Sequence, residues 1–138
     1  MRVFLDTDII LDTLVARDNP KFGENAATIL SLGESGVLEL RMSTLSIPTV
    51  AYILKNMTSS AKKAVIRELL DIIQPLPSLP EHIELMLASP MRDIEDALQV
   101  QSAKEGRCDI IVTRNTADFK LSEIPAIAPD DFLRRIFE

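Results

Sequence analysis

Apolar residues along the chain follow two patterns, short continuous runs and longer stretches at helical spacing. Short runs bounded by turn-type residues predict strands at residues 2–6, 37–42, 109–113 and 126–128. Apolar residues that recur every three or four positions predict helices over residues 7–16, 19–36, 43–56, 59–74, 81–89, 92–106 and 130–138. Because strands alternate with helices, the pattern favours an α/β sandwich around a parallel sheet.

Punctuation residues refine this pattern. The helix after the second strand can begin at Ser43, Thr44 or Ser46, and Pro48 then falls in its first turn, where the missing N–H is tolerated. The proline-rich stretch 75–80 predicts a loop rather than a domain boundary, since each side of it is too short to build a core alone. We therefore expect one continuous domain over residues 1–138.

Acidic residues gather beside the predicted carboxyl ends of strands, where an open parallel sheet binds its ligands. Asp6 ends the first strand, and Arg114, Asn115 and Asp118 follow the strand 109–113. Three more acids open the helix that precedes that strand, namely Asp93, Glu95 and Asp96. The coincidence of three acidic places at one edge predicts a carboxylate site.

Each acid also has a purely structural interpretation. Thr7 or Asp8 would cap the following helix, and Asp12, one turn further on, would be solvated. The helix dipole alone favours the acids of the first turn at 93–96, and Asp118 could open a turn. Asp6 is the hardest to explain this way, because a charge at the end of a buried strand is costly unless it is paired.

Composition limits the function classes. The net charge of −6 excludes a surface that is basic all over, so binding of a polyanion needs local positive patches, a cation or a basic partner. Convergent carboxylates cannot all ionise cheaply without a cation, and Mg²⁺ or Mn²⁺ prefers such oxygen ligands. A bound ion also activates water and stabilises a phosphodiester during its cleavage.

Three segments together resemble the PIN domain, the fold of VapC-type toxins: "FLDTDIILDTL", "DIEDALQVQSAKEGRCDIIVTRNTADF" and "AIAPDDFL". The resemblance covers almost the whole chain in order. It implies a three-layer α/β/α sandwich with a central, mostly parallel sheet. It also implies a ribonuclease that depends on Mg²⁺ or Mn²⁺, commonly a toxin that forms a homodimer and is held by a cognate antitoxin protein.

The resemblance also implies roles for individual residues. Asp6 and Asp96 match the main metal ligands of the family. Asp118, or the Asn115 position, matches the acid after the later strand, and Asp118 would hold a metal-bound water or a second ion. Arg114 would meet phosphate, although a structural ion pair fits it equally well. The remaining candidates are Asn115 and Thr7 as substrate-binding residues and Asp93 as an extra acid.

Two departures from the family pattern bear on activity. The family usually has a Glu early in the helix after the second strand, where this chain has Thr49 and no acid between Glu39 and Glu68. Asp8 stands where the family usually has Asn. Asp8 either replaces the missing Glu in part, or the metal site is weakened.

Three functions follow as alternatives. The first is a metal-dependent endoribonuclease that cleaves single-stranded or structured RNA, guided by a basic surface formed by Lys55, Lys62, Lys63 and Arg67. The second is a degenerate PIN domain that binds RNA or a protein partner without cleavage. The third is a phosphatase of the HAD type, suggested by Asp-x-Asp in "LDTD". Ile9 and Ile10 follow where Gly or Thr is expected, which disfavours the phosphatase.

The remaining expectations concern environment. The chain has one cysteine, Cys108, which fits a reducing cytoplasm, and it lacks both a signal-peptide pattern and a long apolar run, so we expect a cytoplasmic protein with no membrane contact. Cys108 is expected to be a buried small hydrophobe. His82, the only histidine, is expected at the surface of a helix start and not as a catalytic base.

Overall fold

Five parallel strands form the central sheet of the computed structural model, which describes all 138 residues. The strands are, in chain order, β1 (Arg2–Leu5), β2 (Glu39–Ser43), β3 (Ile73–Leu76), β4 (Ile110–Val112) and β5 (Ala126–Ile127). They lie side by side in the order β3-β2-β1-β4-β5, and each neighbouring pair is parallel. The direction of the strand order reverses between β1 and β4, and such a reversal opens a crevice at the carboxyl edge of the sheet.

Helices cover both faces of this sheet. They are α1 (Thr7–Asp12), α2 (Pro20–Glu34), α3 (Ser46–Ile53), α4 (Ser59–Ile72), α5 (Pro80–Ala88), α6 (Ile94–Glu105) and α7 (Pro129–Ile136), with a short 3₁₀ helix at Thr116–Phe119. None of them combines the length and the apolar character that a bilayer-spanning helix requires.

Two apolar cores separate the layers. Along β1, Val3 and Leu5 point into a core shared with α1, α2, α3, α4 and α7, and Phe4 points into a second core shared with α6. Side chains alternate between the two faces of a strand, so a strand that is apolar at every position needs a core on each side. The three-layer α/β/α sandwich with a parallel sheet is therefore confirmed.

Strand β3 is the element that the sequence pattern missed. We predicted a helix through residue 74 and a loop over 75–80, and this is wrong for Ile73–Leu76. Pro75 hid the strand because it cannot donate a hydrogen bond. However, β3 lies at the edge of the sheet. The carbonyl of Leu76 accepts from the Thr44 N–H at 3.0 Å, so the backbone polar groups of Leu76 point toward β2 and the backbone of the neighbouring Pro75 points away from the sheet. An outward position needs no donor.

One further local prediction is wrong. His82 is buried, with 2% of its surface exposed, because α5 packs against α6, and its Nδ1 accepts from the Leu79 N–H at 3.0 Å at the start of α5. Helix α3 begins at Ser46, which is one of the three predicted starts, and Leu45 before it makes no side-chain capping bond. Cys108 is buried as expected, and burial raises the pKa of its thiol to about 11.

The packing of α6 against β3 generates a stability prediction. A Cβ added at Gly106 would lie 2.5 Å from Cδ1 of Leu76, a buried core side chain, whereas a Cβ added at Gly23 in α2 would meet nothing closer than 3.6 Å. We expect Gly106→Ala to lower the free energy of unfolding by about 1–2 kcal/mol through overpacking. Gly23→Ala should raise it by about 0.5–1 kcal/mol through helix propensity. Urea titrations of both variants measure this, and equal shifts would contradict it.

Candidate functional site

The candidate site is built around Asp6, the residue that leaves β1 at the point where the strand order reverses. Its carboxylate Oδ2 accepts from the hydroxyl of Thr113, which follows β4, at 2.7 Å. Its Oδ1 accepts from the N–H of Thr7 at 2.8 Å. Asp6 thereby caps α1, so the prediction that Thr7 or Asp8 is the cap is wrong.

Asp6 is a buried acid, with 5% of its surface exposed. Burial raises its pKa, and the neighbouring carboxylate of Asp93 adds to the rise. The hydrogen bonds from Thr113 and Thr7 act in the opposite direction, as does the side chain of Gln99 in α6. Three donors therefore converge on Asp6, and none of them carries a positive charge.

Asp8 lies in the first turn of α1 and contacts the segment that follows β4. The pKa of Asp8 is raised to about 7, first by burial and then by the charge of Asp6, while Arg114 acts to lower it. Its Oδ2 accepts from the N–H of Arg114 at 3.3 Å and from Nδ2 of Asn115 at 3.4 Å. Its Oδ1 is buried without a hydrogen-bond partner, and such an atom is costly to leave unsatisfied.

The acids of α6 form the opposite side of the site. Asp93 caps the helix by accepting from the N–H of Asp96 at 2.8 Å, so it precedes the first turn, in which Glu95 and Asp96 lie. The pKa of Asp96 is raised to about 7 by burial, then by Asp6, Asp93 and Asp118. Asp96 is therefore close to Asp6 in space, although ninety positions separate them in the sequence.

Asp118 lies in the 3₁₀ helix at Thr116–Phe119 and is exposed. Because its charge raises the pKa of Asp96, it belongs to the rim of the same cluster. The fold thus brings five of the acids that the sequence singled out into one electrostatic cluster, namely Asp6, Asp8, Asp93, Asp96 and Asp118.

An ion-pair cluster next to Asp8 contains Arg114, for which a structural ion pair was one of the two interpretations, and the burial of its partner Asp12 was not predicted. Asp12, predicted to be solvated, is 4% exposed and accepts from Nε of Arg17 and from Nε of Arg114, each at 2.8 Å. Asp12 stands four residues after Asp8 and so shares its helical face. This spacing was the signal in the sequence that Asp12 lies beside the acidic site. The guanidinium of Arg114 also stacks on the ring of Phe22, 4.2 Å from its centroid.

Helix α3 supplies hydroxyl groups where the family pattern has a Glu. The hydroxyl of Ser46 lies 2.7 Å from that of Thr7, and both residues are buried. No acid opens α3, and Thr49 is only partly exposed. Gln99 in α6 is a buried polar residue near Asp6 that was not predicted from the sequence. It is 1% exposed, and its Oε1 has no hydrogen-bond partner.

The candidate ligands are of the chemical type that a hard divalent cation prefers. The candidate ligands are all carboxylates, they raise each other's pKa, and Oδ1 of Asp8 is an unpartnered buried acceptor. No group of three His, Cys, Asp or Glu side chains is arranged as a complete metal-holding set. The residues therefore fit the charge and oxygen preference of Mg²⁺ or Mn²⁺ without forming a closed coordination shell.

Comparisons with known proteins point to one family. The family described as PIN domain matches residues 2–117. Similar solved structures include VapBC2 from Rickettsia felis bound to a promoter DNA fragment, with 12% identity, a TM-score of 0.69, and 93% of this chain and 98% of that chain covered. A toxin–antitoxin complex from Klebsiella pneumoniae shares 20% identity, with a TM-score of 0.66 and coverages of 92% and 97%.

A third similar structure is FitAcB from Neisseria gonorrhoeae, with 18% identity, a TM-score of 0.61 and coverages of 92% and 97%. At these identities the likeness shows a shared fold. No curated protein sequence matches the chain.

The raised pKa of Asp8 generates a prediction on stability and pH. Between the ordinary aspartate pKa of 3.8 and about 7, the folded protein keeps a proton on Asp8 that the unfolded chain releases. The folded state then binds more protons, so the free energy of unfolding falls as pH rises through this window. In EDTA, Asp8→Asn should be more stable than the parent at pH 8, on the order of 2 kcal/mol, and no more stable at pH 4.

Urea unfolding at both pH values measures the difference. Asp71→Asn, which alters an exposed acid of α4, is the matched control and should leave the pH dependence unchanged. A pH dependence in Asp8→Asn equal to that of the parent would show that Asp8 is ionised without cost.

Proposed function

Since the chain belongs to the PIN domain family, whose match spans residues 2–117, we propose that it is a metal-dependent endoribonuclease that cleaves single-stranded or structured RNA. The observation that carries the proposal is the position of Asp6 and Asp96. Both carboxylates have raised pKa values, and the charge of Asp6 is one cause of the raised pKa of Asp96. Clusters of this kind are typical of functional sites, because an idle charge there only destabilises the fold.

In this proposal, Asp6 and Asp96 are the main ligands of Mg²⁺ or Mn²⁺, with Asp8 and Asp118 as further oxygen donors. A divalent cation held there supplies an activated water and stabilises negative charge on the phosphodiester. The hydroxyl of Thr113 and the N–H of Thr7 fix the orientation of the Asp6 carboxylate. Asp93 fixes the first turn of α6, from which Asp96 projects.

The exposed fraction of each side chain indicates which residues can contact the substrate. Asn115 is exposed and Arg114 is partly exposed beside Asp8, so both can reach a phosphate or a base. Thr7 is buried and its hydroxyl is paired with Ser46, so we assign it to orienting Asp6 rather than to touching RNA. A cation among the acids would also offset part of the net charge of −6 that otherwise repels RNA.

One observation favours a second candidate, a degenerate PIN domain that binds RNA or a protein without cleavage. Helix α3 has no acid in its first turn, and no three ligating side chains form a complete set. If Asp8 does not compensate for the missing Glu, the site retains its shape and loses its metal.

Partners form a further part of the proposal. The similar structure from Klebsiella pneumoniae is a toxin–antitoxin complex, and the one from Rickettsia felis is VapBC2 bound to a fragment of its promoter DNA. We propose that this chain is likewise a toxin, that it forms a homodimer, and that a small antitoxin protein holds it inactive. A short reading frame beside its gene, encoding a protein that co-purifies with it and stops RNA cleavage, would support this proposal.

The first functional prediction is loss of metal-dependent cleavage. Purified protein with Mn²⁺ should cut labelled single-stranded RNA, and EDTA should stop it. Asp6→Asn and Asp96→Asn should each lower the rate by at least about a hundredfold, because each removes a charge that binds the cation. Asp71→Asn serves as the control and should keep full activity. Full activity in either site variant would refute the assignment.

The second functional prediction separates the two candidates at Asp8. If Asp8 replaces the missing Glu, Asp8→Asn should weaken Mn²⁺ binding about tenfold, even though Asn is the usual residue of the family at this position. Calorimetric titration with Mn²⁺ measures this without any RNA. Unchanged Mn²⁺ affinity would show that Asp8 is no ligand, and absence of Mn²⁺ binding by the parent protein would favour the degenerate domain.

A further inference from the structure

A pocket beside Arg114 contains residues that have no role in the proposed metal site. A cavity of ≈ 430 Å³ opens between α2 and α7, and the side chain of Arg114 forms part of its wall. Its lining includes Lys21, Phe22, Asn25, Arg114 and Arg134. We call this cavity the α2–α7 pocket.

Arg114 is held rigidly at the wall of this pocket. Its Nε donates to Oδ2 of Asp12 at 2.8 Å and its Nη2 donates to Oδ1 of Asp12 at 3.3 Å. The ring of Phe22 stacks against one face of the guanidinium. These contacts leave Nη1 for another acceptor, and a quarter of the side chain is exposed. A guanidinium fixed in this way is prepared for a ligand and loses little entropy on binding.

The same residue joins the pocket to the acids. The backbone N–H of Arg114 donates to Asp8 at 3.3 Å, and the next residue, Asn115, contacts the same carboxylate. Arg114 therefore contacts the acidic site through its backbone and lines the α2–α7 pocket with its side chain.

The charge of the pocket is opposite to that of the protein as a whole. Lys21, Arg114 and Arg134 line it against a single acid, Asp130. Arg134 is partly neutralised by its bond to Asp131 at 2.8 Å, and Arg114 shares the carboxylate of Asp12 with Arg17. The side-chain amide of Asn25 adds a group that can both donate and accept. A guanidinium plane, an ammonium and an amide suit the phosphate and base of an unpaired nucleotide.

We propose that the α2–α7 pocket is a nucleotide subsite. It binds the nucleotide next to the scissile phosphate, with the phosphate on Arg114 and Lys21 and the base against the guanidinium plane and Asn25. This inference rests on the proposed function only in taking RNA as the substrate. It assigns RNA binding to α2 and α7 rather than to the lysines of α4.

Nucleotide binding without cleavage tests the subsite. The Asp96→Asn protein, labelled with ¹⁵N, is titrated with nucleoside 5′-monophosphates and followed by NMR. We expect shifts in the Asn25 side-chain amide and in Nε–H of Arg114, with none at Lys63 on α4. An acidic peptide of Asp and Glu is the competing probe. Equal shifts with this peptide, or no shifts with nucleotides, would overturn the proposal.

Affinity for RNA provides the second measurement, in the same Asp96→Asn background. Lys21→Gln combined with Asn25→Ala should weaken binding of a short single-stranded oligoribonucleotide about tenfold, as expected from loss of a phosphate contact and a base contact. Lys63→Gln removes the same charge from an exposed position on α4 and should change binding less than twofold. Equal losses in the two variants would indicate a net-charge effect and overturn the subsite.

These experiments separate the two proposals. Normal binding by the pocket variant, together with metal-dependent cleavage by the parent protein, would remove the subsite and leave the nuclease. Nucleotide binding in the pocket, together with no cleavage by any preparation, would remove the nuclease and leave the subsite.

Discussion

The burial of one carboxylate at the centre of the sheet governs this structure. Asp6 leaves the middle strand at the reversal of strand order, and it is held by a hydroxyl from β4 and an N–H from α1. These neutral donors satisfy the oxygens without cancelling the charge. The adjoining acids therefore repel Asp6 instead of pairing with it, and the site stores an electrostatic cost that a cation can relieve.

Much of the architecture follows from the sequence because it depends on local patterns. Runs such as residues 3–5 and 110–112 are apolar at every position, which is a signal for strands buried on both faces. Once these strands are parallel and adjacent, Asp6 and Arg114 must leave the sheet at the same edge. The convergence of the acids is thus a consequence of topology, and it could be predicted without knowing any distance.

What escaped prediction depends on contacts between residues far apart in the chain. Asp12 is buried between two guanidinium partners, and one of them, Arg114, is about a hundred positions away in the chain. His82 is buried because α5 packs against α6, and β3 exists because β2 offers it a partner despite Pro75. Single-sequence reasoning places a lone Asp or His on the surface, since that is where unpaired polar groups cost least.

The outward-facing Pro75 also restricts how copies of this protein can associate. A strand at a sheet edge is normally a template for another chain, and β3 presents no N–H at its middle outward position. The opposite edge, β5, is two residues long and offers too few backbone groups to pair with. Both edges are therefore closed to strand addition. Assembly of this fold has to use helical surfaces, and the sheet is protected from edge-to-edge aggregation.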